Sequence, residues 1–469
     1  MRRLTTIKKF QQVKTVILAG LFSVLLIACK KDILKTQPRT DVLIPTTLAD
    51  FQALLDNYDL MNVTPVLGEL SSDDYYLSGN SWEGLNILQE KNGYIWKAEL
   101  FEGNGDIPDW NQPYTQVLYC NIILESIDNV SGNVTQAAIN AIRGDAYFKR
   151  AFAFYNLAQL FTPPYDNTTA ATDLGLPLRL QSDIRIKVPR SSVKETYEQI
   201  IADLQQAYQL LPATIPASNK NRASKPAALA MLARVNLTTG NYVQAGMYAG
   251  DLLQLYDSVV NYNANEFYVN PFIPFLNGNH EVIYQSQMHP ATGVINGIIY
   301  PETVVDSGLL QMYAANDLRT VIYYFTGFTG NINLKGSYTG KTSPFSGLAT
   351  DEIYLIRAEC HARNNEMAAA LDDLNTLWEK RAVSGTYAPL TASSQQDAIQ
   401  LVLDERRKEL AFRGLRWTDL RRLNKMGAGI TLQRVAGGVM YSLPPNSNLY
   451  VLQIPPDVLT LSGIEPNIR

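Results

Sequence analysis

The chain has 469 residues, with 40 basic and 44 acidic side chains and a hydrophobic fraction of 46%. This length exceeds the size at which a single hydrophobic core stops growing, so the sequence predicts two or more packed lobes. The formal net charge of −4 argues against nucleic-acid binding, which requires positive charge clustered against a phosphate backbone. The composition therefore indicates an ordinary folded protein whose partner is not a nucleic acid.

Residues 1–28 have the pattern of a secretory signal. Residues 1–14 carry five basic and no acidic side chains, and the apolar run that follows is too short to span a bilayer. The run ends in Leu-Ile-Ala-Cys at residues 26–29, which resembles the lipobox of bacterial lipoproteins. The resemblance implies cleavage before Cys29 and acylation of its thiol and its new amino group, and two or more acyl chains make membrane attachment stable. The mature chain would then carry 35 basic residues against 44 acidic ones.

Residues 29–49 are polar and contain proline, which is typical of a tether between a lipid and a folded body. The sequence Lys-Lys-Asp at residues 30–32 resembles the charged export signal of Bacteroidetes lipoproteins and implies an outward-facing protein. No later run of about 18 apolar residues follows, so the lipid alone is expected to hold the protein on the outer membrane. Cys120 and Cys360 lie in apolar helical contexts, which favours buried free thiols over a disulfide.

Apolar residues at helical spacing dominate the rest of the chain. The segment 143–161 is apolar on nearly every face, which predicts a central buried helix, and Ser192 with Glu195 forms a capping box before another helix. The spacing predicts helices at residues 112–129, 136–161, 191–211, 350–363, 366–382, 396–412 and 417–425. We divide the folded part into an N-terminal helical region, residues 50–255, and a C-terminal region, residues 256–469.

Two segments share the same helix-turn-helix spacing. Residues 233–245 and 358–370 both begin and end with Ala, and each has a turn residue seven positions after the first Ala, Gly240 or Asn365. This spacing is typical of tetratricopeptide-like helix pairs, in which small residues let two helices approach closely. The two copies lie far apart in sequence, so they do not form a simple tandem array.

The intervening residues 256–345 lose the helical period and are rich in Asn, Gly, Pro, Tyr and Phe. A long irregular segment inserted into a helical scaffold is the usual place for binding loops. One β-strand is expected at residues 280–288. We therefore expect the ligand to bind to this insertion and to the N-terminal loops, residues 65–100.

Several motifs, in the same order along the chain, resemble the SusD/RagB family. Residues 143–161 resemble the family's RGEAYFLRAFAYFNLV helix, and LDERRKELAFRGLRWTDLRR at residues 403–422 resembles its ERRxELxFEGxRWxDLxR motif. Further similarity lies in residues 190–207, in the two helix pairs and in the C-terminal tail. Two features depart from the family pattern: Arg413 stands where Glu is common, and residues 161–178 replace a shorter loop.

The resemblance implies a mainly α-helical fold, in which tetratricopeptide-like helix pairs form an α-α superhelix. A loop-rich ligand-binding lobe with few short strands would complete it. The resemblance also implies a function, namely that of a surface lipoprotein that binds a glycan, or else a peptide. The protein would pass this nutrient to a SusC-like TonB-dependent outer-membrane transporter, which it would cap like a lid.

Motifs for catalysis are absent from the sequence. There is no GxSxG, no HExxH, no phosphate loop and no metal-ligand spacing, so no enzyme activity, cofactor or metal is expected. Of the carboxylate pairs only Asp73-Asp74 is expected in a loop, where it could face a ligand. The acids of residues 102–109 could hold Ca²⁺, but their spacing is not that of an EF-hand. The charge-rich segment 404–422 has the pattern of a salt-bridged helical face.

Aromatic side chains are the main indicators of ligand binding. Flat rings pack on the apolar faces of sugars, and each such ring contributes on the order of 1–2 kcal/mol. The candidate ligand-binding residues are Tyr75, Tyr76, Trp82, Trp96, Tyr268, Phe272, Tyr323 and Tyr324. The alternative for each ring is packing inside the loops, and Trp110, Trp378 and Trp417 are expected to be packing residues.

The sequence predicts a nutrient receptor best, and a second function remains open. A helical-repeat scaffold that docks proteins and binds no small ligand would have the same helix pairs. The aromatic insertion favours the receptor, because a scaffold would need only its concave helical surface. Starch, other glycans, glycoprotein chains and peptides all remain possible ligands.

Overall fold

A computed structural model describes residues 45–268, 270, 272–289, 294–295 and 300–469. The predicted signal and the acylation site Cys29 lie outside the described residues. The α-helices are α1 (Leu48–Leu55), α2 (Tyr58–Met61), α3 (Leu67–Ser71), α4 (Leu88–Tyr94), α5 (Pro108–Ser126), α6 (Gln136–Phe161), α7 (Val193–Leu210), α8 (Lys225–Thr238), α9 (Tyr242–Leu255), α10 (Ser307–Gln311), α11 (Arg319–Ile322), α12 (Thr350–Arg363), α13 (Met367–Arg381), α14 (Gln395–Glu409), α15 (Arg416–Lys425) and α16 (Pro456–Ser462).

The strands are short and pair two by two. They are β1 (Val63–Thr64), β2 (Tyr75–Leu77), β3 (Val282–Tyr284), β4 (Gln287–Met288), β5 (Thr303–Val305), β6 (Tyr324–Thr326), β7 (Ile332–Leu334), β8 (Leu348–Ala349), β9 (Leu432–Ala436) and β10 (Val439–Leu443). β1 pairs in parallel with β4, and the other pairs, β2–β5, β3–β8, β6–β7 and β9–β10, are antiparallel. The single strand predicted at residues 280–288 is therefore two strands, β3 and β4, which pair with different partners.

The longer helices pack one against the next and form a continuous array. α5 packs on α6, α6 on α7, α7 on α8 and α8 on α9. The array continues from α9 to α12, which also contacts α13 and α14. Phe148, Phe154 and Leu157 of α6 are fully buried, as expected of a helix that is apolar on nearly every face. The predicted mainly α-helical fold is confirmed.

The two predicted helix pairs are α8–α9 and α12–α13, and they are neighbours in space. Both turn residues adopt the left-handed backbone conformation that ends a helix, with φ of 74° at Gly240 and 63° at Asn365. α9 and α12 approach closely, because a Cβ added to Gly246 would lie 3.1 Å from the Cβ of Cys360. The array is thus continuous across the pairs, although about 90 residues of other structure separate them in the chain.

Local signals set the helix ends. The Ser192 hydroxyl accepts a hydrogen bond from the Glu195 backbone N at 3.1 Å, and the Glu195 carboxylate accepts one from the Ser192 backbone N at 2.7 Å. This reciprocal pair confirms the capping box of α7. α5 begins at Pro108, earlier than the predicted residue 112, since proline fits the first turn of a helix.

The N-terminal loops and the insertion form one loop-rich lobe. β2 belongs to the N-terminal loops and β1 directly precedes them, whereas their partners β4 and β5 belong to the insertion. A hydrogen bond from the Ser78 backbone N to the Glu302 carbonyl (2.9 Å) extends the β2–β5 pair. The two regions in which ligand binding was predicted are therefore adjacent, although about 200 residues separate them in the chain.

A buried network of ion pairs and tyrosines, the junction network, joins this lobe to the helical array. It includes Glu281, Tyr338, Asp351, Arg381 and Glu409. Arg381, the last residue of α13, contacts Glu409 of α14 at 2.7 Å and Glu281 of the lobe at 2.8 Å, and all three are at most 2% exposed. The Tyr338 hydroxyl lies within hydrogen-bonding distance of the carboxylates of Glu281 (2.8 Å) and Asp351 (3.0 Å). Each charge is paired and hydrogen-bonded, which is the condition under which burial of charge is tolerated.

The charge-rich segment 404–422 lies mostly inside the protein, not on an exposed helical face. Arg406 contacts Asp419 at 2.8 Å, and Arg422 contacts Glu359 of α12 at 2.7 Å. Most of its ion pairs thus reach other parts of the fold, and only two follow the helical spacing that the sequence suggested. Arg413, which departs from the family pattern, contacts Asp351 at 3.0 Å and stabilises the same junction.

Three further predictions concern the packing. Cys120 and Cys360 are buried free thiols, as expected. Trp110, Trp378 and Trp417 are each at most 7% exposed, which confirms their packing role. No described helix has the length and apolarity that crossing a bilayer would require.

Candidate functional site

A groove with a volume of about 660 Å³ opens between helix α4 and the hairpin β9–β10. Aromatic rings and polar side chains share its lining. The lining includes Trp82, Lys91, Trp96, Tyr441 and Ser442. Because two of the predicted ligand-binding residues, Trp82 and Trp96, line this groove, it is the candidate ligand site.

Trp82 and Tyr441 form the aromatic wall of the groove. Their ring centroids are 6.3 Å apart, the ring planes are tilted by 48°, and both rings are half-buried. The Trp82 indole nitrogen donates to the Lys91 carbonyl at 2.8 Å, and the Lys91 ammonium lies 5.1 Å from the ring centroid. These contacts fix the indole while leaving part of it open, so that the flat apolar face of a ligand can pack on it.

The hairpin turn closes tightly on this wall. Gly437 has a φ of 55°, and a Cβ at this position would lie only 3.3 Å from the Trp82 ring. A residue with a side chain would therefore press on the indole and would also adopt a strained backbone conformation. Glycine at position 437 is thus favoured by the turn, and it lets the hairpin approach Trp82 closely.

Polar side chains lie along the other part of the groove. Lys97 and Glu102 form an ion pair whose side chains are both exposed. Asn92 donates to the Glu102 carboxylate at 3.1 Å and to the Leu100 carbonyl at 3.0 Å. Hydrogen bonds from Lys97 and Asn92 lower the pKa of Glu102, so this carboxylate is ionised at neutral pH. The groove therefore offers both charged donors and a charged acceptor beside its aromatic wall.

Tyr75 and Trp96, predicted to contact a ligand, belong instead to a cage around an arginine. The Arg434 guanidinium lies 4.1 Å from the Tyr94 ring centroid and 5.1 Å from those of Tyr75 and Trp96. Tyr75 is 2% and Trp96 4% exposed, and the Trp96 indole nitrogen donates to the Ser71 carbonyl at 2.9 Å. The burial of Tyr75 does not fit a ligand contact, and Trp96 offers the groove only its small exposed part.

Tyr323 and Tyr324 are also core residues in this structure. The Tyr323 hydroxyl lies 2.9 Å from that of Tyr262, within the junction network, and Tyr324 makes the same contact with Tyr313 at 2.9 Å. Their exposed fractions are 8% and 2%. The prediction that these rings contact a ligand is corrected, because their faces are covered by other aromatic rings.

Three predicted contacts remain on the surface of the lobe. Tyr76, Tyr268 and Phe272 are each a little over 40% exposed, and Phe272 packs edge-on against Phe325 with centroids 5.4 Å apart. Phe328, at the tip of the β6–β7 hairpin, is fully exposed. These rings do not line the Trp82 groove, so their role in ligand binding stays a prediction.

The carboxylates considered for catalysis or metal binding have protein partners or are buried. Asp73 contacts Arg416 at 2.6 Å; burial opposes its ionisation, but Arg416 and Arg407 outweigh burial and lower its pKa to about 2. Asp74 is 1% exposed, and burial raises its pKa to about 6, so it does not face a ligand as predicted for the loop pair. Asp109 accepts a hydrogen bond from the backbone N of Val66 (2.6 Å). This acid of the segment 102–109 is therefore not free to bind Ca²⁺.

One group of acids in the described part of the chain has the proximity of a metal site. Oxygen atoms of Glu281, Asp351 and Glu409 lie within 4.8 Å of one another. Arg381 and Arg413 already supply the positive charge that a cation would bring, at 2.7–3.0 Å from these carboxylates. The group is therefore part of the junction network.

Tyr441 and the hairpin that carries it were not predicted from the sequence. The residues LQRVA and VMYSL flank Gly437-Gly438, and a Gly-Gly pair between two strand-like segments is a signal for a two-residue hairpin. This signal was present in the printed sequence. The proximity of the hairpin to α4 was not, because more than 330 residues separate them.

Comparison with known proteins agrees with this architecture. A family model described as "Starch-binding associating with outer membrane" matches residues 30–237, and the model of the SusD family matches residues 322–451. SusD-like protein P2 of Formosa agariphila is 26% identical over 428 residues, which cover 76% of this chain and 79% of that protein.

Solved structures show the same fold. A SusD superfamily protein from Bacteroides thetaiotaomicron superposes with a TM-score of 0.71 at 20% identity, covering 90% of this chain and all of that one. A SusD-like carbohydrate-binding protein from Bacteroides vulgatus superposes with a TM-score of 0.67 at 21% identity, covering 89% and 97%. Helix pairs that support a loop-rich lobe thus define a helical-repeat protein of the SusD class. The chain belongs to the SusD/RagB family.

Proposed function

We propose that this protein is a lipid-anchored, outward-facing lipoprotein of the outer membrane that binds a glycan in the Trp82–Tyr441 groove. It would deliver the glycan to a SusC-like TonB-dependent transporter. The observation that carries the proposal is the pair of half-buried rings, Trp82 and Tyr441, beside exposed polar groups in a groove of about 660 Å³. Aromatic faces beside hydrogen-bonding groups suit a sugar, which has apolar ring faces and polar edges.

The family supports a glycan over other nutrients. One matching family model is described as starch-binding, and one protein of the same fold is described as carbohydrate-binding. The groove is open and lies at the surface, which suits a chain of sugars better than a small molecule that must be enclosed. A peptide is the second ligand class that such a groove could accept.

Binding without catalysis follows from the chemistry of the groove. Glycoside hydrolysis ordinarily requires two carboxyl groups on either side of the scissile bond. Among the described residues that line the groove, Glu102 is the only acid, and it is paired with Lys97. A single ionised carboxylate offers no general acid, so the groove is suited to hold a glycan and not to cleave it.

The membrane attachment and the transporter partner are inferred from the N-terminal sequence and the family. Acylation of Cys29 would attach the chain, and residues 30–44 would link the lipid to the described body, which begins at Pro45. Cys29→Ala should release the protein from membranes or leave an uncleaved precursor. Unchanged partition of this variant into the detergent phase would contradict a lipid at Cys29.

The binding proposal is tested with purified protein and a panel of soluble glycans that includes maltooligosaccharides, with peptides as a second panel. Isothermal titration should detect binding of at least one glycan, and chromatography of the same mixtures should show no cleavage products. Sustained product formation would contradict the non-catalytic proposal. Binding to peptides alone would change the ligand class, and binding to neither panel would favour the helical-repeat scaffold.

A further inference from the structure

A second groove, with a volume of about 560 Å³, lies between helix α5, helix α16 and the connection between α6 and α7, residues 162–192. Its rim carries aliphatic side chains that face water. Ile184 is 73% exposed and Leu461 of α16 is 77% exposed, and both line the groove with Ile186. Aliphatic side chains grouped and exposed in this way usually mark a surface that is covered by a partner.

Basic residues alternate with the isoleucines in the connection. Arg185 and Lys187 are exposed, as are Ile184 and Ile186, so four consecutive residues combine two aliphatic and two cationic side chains at the surface. Two acids lie beside these residues. Asp183 pairs with Arg185 at 2.8 Å, and the Glu125 carboxylate accepts a hydrogen bond from the backbone N of the connection at 2.8 Å.

The charge of this stretch is opposite to that of the whole chain. Residues 177–190 contain four basic side chains and one acid, whereas the chain carries a formal net charge of −4. One of the four, Arg190, is committed to backbone carbonyls and to Asn467 at 2.8 Å. The other three line the groove; Arg185 is paired with Asp183, so Arg179 and Lys187 are the ones without an ion pair among the described residues. The surface therefore combines exposed aliphatic groups with a local positive charge.

The groove lies close to the point at which the undescribed N-terminal segment joins the body. Glu125, near the end of α5, accepts the hydrogen bond from the connection. Ser131 lies six residues further along the chain, and its backbone N donates to the Thr46 carbonyl at 2.7 Å. Six residues span at most ~20 Å, so the connection and Thr46 belong to the same end of the protein. The proposed tether from Cys29 joins the body at this end, because the described residues begin at Pro45.

We propose that residues 180–187, together with Leu461, form a surface that docks on anionic lipid headgroups. Ile184 and Ile186 would enter the interfacial region, while Arg185 and Lys187 would lie against phosphate groups. Near an anionic leaflet each Lys or Arg raises affinity about fivefold. The orientation rests on the proposed lipid anchor, whereas the affinity for lipid does not.

A protein partner fits this surface less well. A specific protein–protein interface covers about 800 Å² on each side and is depleted in lysine at its centre. The exposed strip is only four residues long and alternates cationic with aliphatic side chains. A lipid surface accepts such a strip, because it needs no complementary shape and offers phosphate and acyl groups side by side.

Vesicle co-sedimentation tests the proposal without the acyl chains. Residues 45–469 form one compact unit, so a chain of residues 29–469 with Cys29→Ser retains the surface. We expect it to bind vesicles of phosphatidylglycerol and phosphatidylcholine at least tenfold better than vesicles of phosphatidylcholine alone. Because the acyl chains are absent, failure of the lipid-anchor proposal would not affect this result.

Substitutions locate the binding. Ile184→Asp should lower vesicle affinity at least fivefold, and the Arg185→Gln, Lys187→Gln double variant should reduce it to nearly that for phosphatidylcholine alone. Val243→Asp is the matched control, since Val243 is 79% exposed on α9, a helix that does not line this groove, and it should leave affinity unchanged. Circular dichroism of each variant confirms that the fold is retained.

Four results would overturn the proposal. Equal binding to both vesicle types would remove the role of charge, and equal losses for Ile184→Asp and Val243→Asp would remove the role of this surface. Inorganic phosphate that releases the protein from vesicles at constant ionic strength would indicate an isolated phosphate site. The unsubstituted chain could also bind detergent-solubilised transporter and no vesicles. If Ile184→Asp then lost the binding to the transporter, the surface would be assigned to a protein partner.

Discussion

The helical array and the loop-rich lobe differ in the size of the elements that build them, although both contain buried ion pairs. In the array, small residues such as Ala233, Ala245 and Ala358 are fully buried and let helices approach closely. In the lobe, most strands have two or three residues, too few to be stable by themselves, and the core contains tyrosine hydroxyls and charged groups. We therefore expect the array to be stable through its own repeats, whereas the lobe depends on its contacts with the array.

Removing Arg381 should have the largest effect, because this residue joins the lobe to the array. Arg381→Met keeps most of the volume but leaves Glu281 without its cation and Glu409 with only Arg319. Breaking a buried pair from one side costs about 3–5 kcal/mol. Urea denaturation should therefore show the free energy of unfolding lowered by this amount.

The same variant also tests which region depends on the junction. Hydrogen exchange should accelerate in β3 and β6 more than in α6, since the lobe loses its attachment while the array keeps its own packing. Lys380→Met, at the partly exposed neighbouring position, should change stability by no more than ~0.5 kcal/mol. Uniform acceleration of exchange across α6 and the lobe would contradict the distinction between the two regions.

A second contact between lobe and array depends on pH. Asp73 follows α3, and its partner Arg416 belongs to α15, at 2.6 Å. Burial opposes ionisation of Asp73, but Arg416 and Arg407 lower its pKa from 3.8 to about 2. Because the folded-state pKa is lower, the contribution is fully present above pH ~4 and is lost as pH falls toward 2. Asp73→Asn should therefore cost about 2 kcal/mol at pH 7 and almost nothing near pH 2.

Denaturation at several pH values checks this expectation. Asp128→Asn provides the control, because its ion pair with Arg143 is largely exposed and should contribute less than ~1 kcal/mol. A constant difference between Asp73→Asn and the unsubstituted protein from pH 7 to pH 2 would show that the ion pair is not the source of the stability.

The smallest effect is expected within the array. Ser192→Ala removes the N-cap of α7 and should cost about 1 kcal/mol. Ser192→Asp retains an acceptor for the Glu195 backbone N and should cost little. Hydrogen exchange in the lobe should be the same in both variants, because the loss of one helix cap in the array should not change the stability of the lobe. Faster exchange in β3 of Ser192→Ala would show that the two regions are more tightly coupled than described.

The sequence predicted the array better than the lobe for a physical reason. Helical spacing and caps are local, so the ends of α6, α7 and α12 were predicted to within two residues. The aromatic pattern of the lobe is local as well, but its meaning depends on distant partners. Arg434 lies more than 330 residues from Tyr75 and Trp96, and no pattern near these rings indicated that an arginine would fill the space between them.

The candidate site shows the same limit. Trp82 was identified by residue type alone, whereas Tyr441 was missed because it comes from a distant hairpin. Rings that were equally plausible in sequence, such as Tyr323 and Tyr324, proved to be buried. Residue type therefore indicated the chemistry of a glycan site, while the fold determined which rings remain open to a ligand.

Glycan binding by the groove depends most directly on Trp82, so the decisive measurement combines titration of the selected glycan with thermal unfolding of Trp82→Ala. The indole is half-buried, and its loss should lower affinity about 5–30-fold, corresponding to ~1–2 kcal/mol, with only a small decrease in melting temperature. Trp96→Ala is the matched control and should instead destabilise the fold by about 3–5 kcal/mol, because Trp96 is 4% exposed. Unchanged glycan affinity in folded Trp82→Ala would contradict the assignment of the groove as the ligand site.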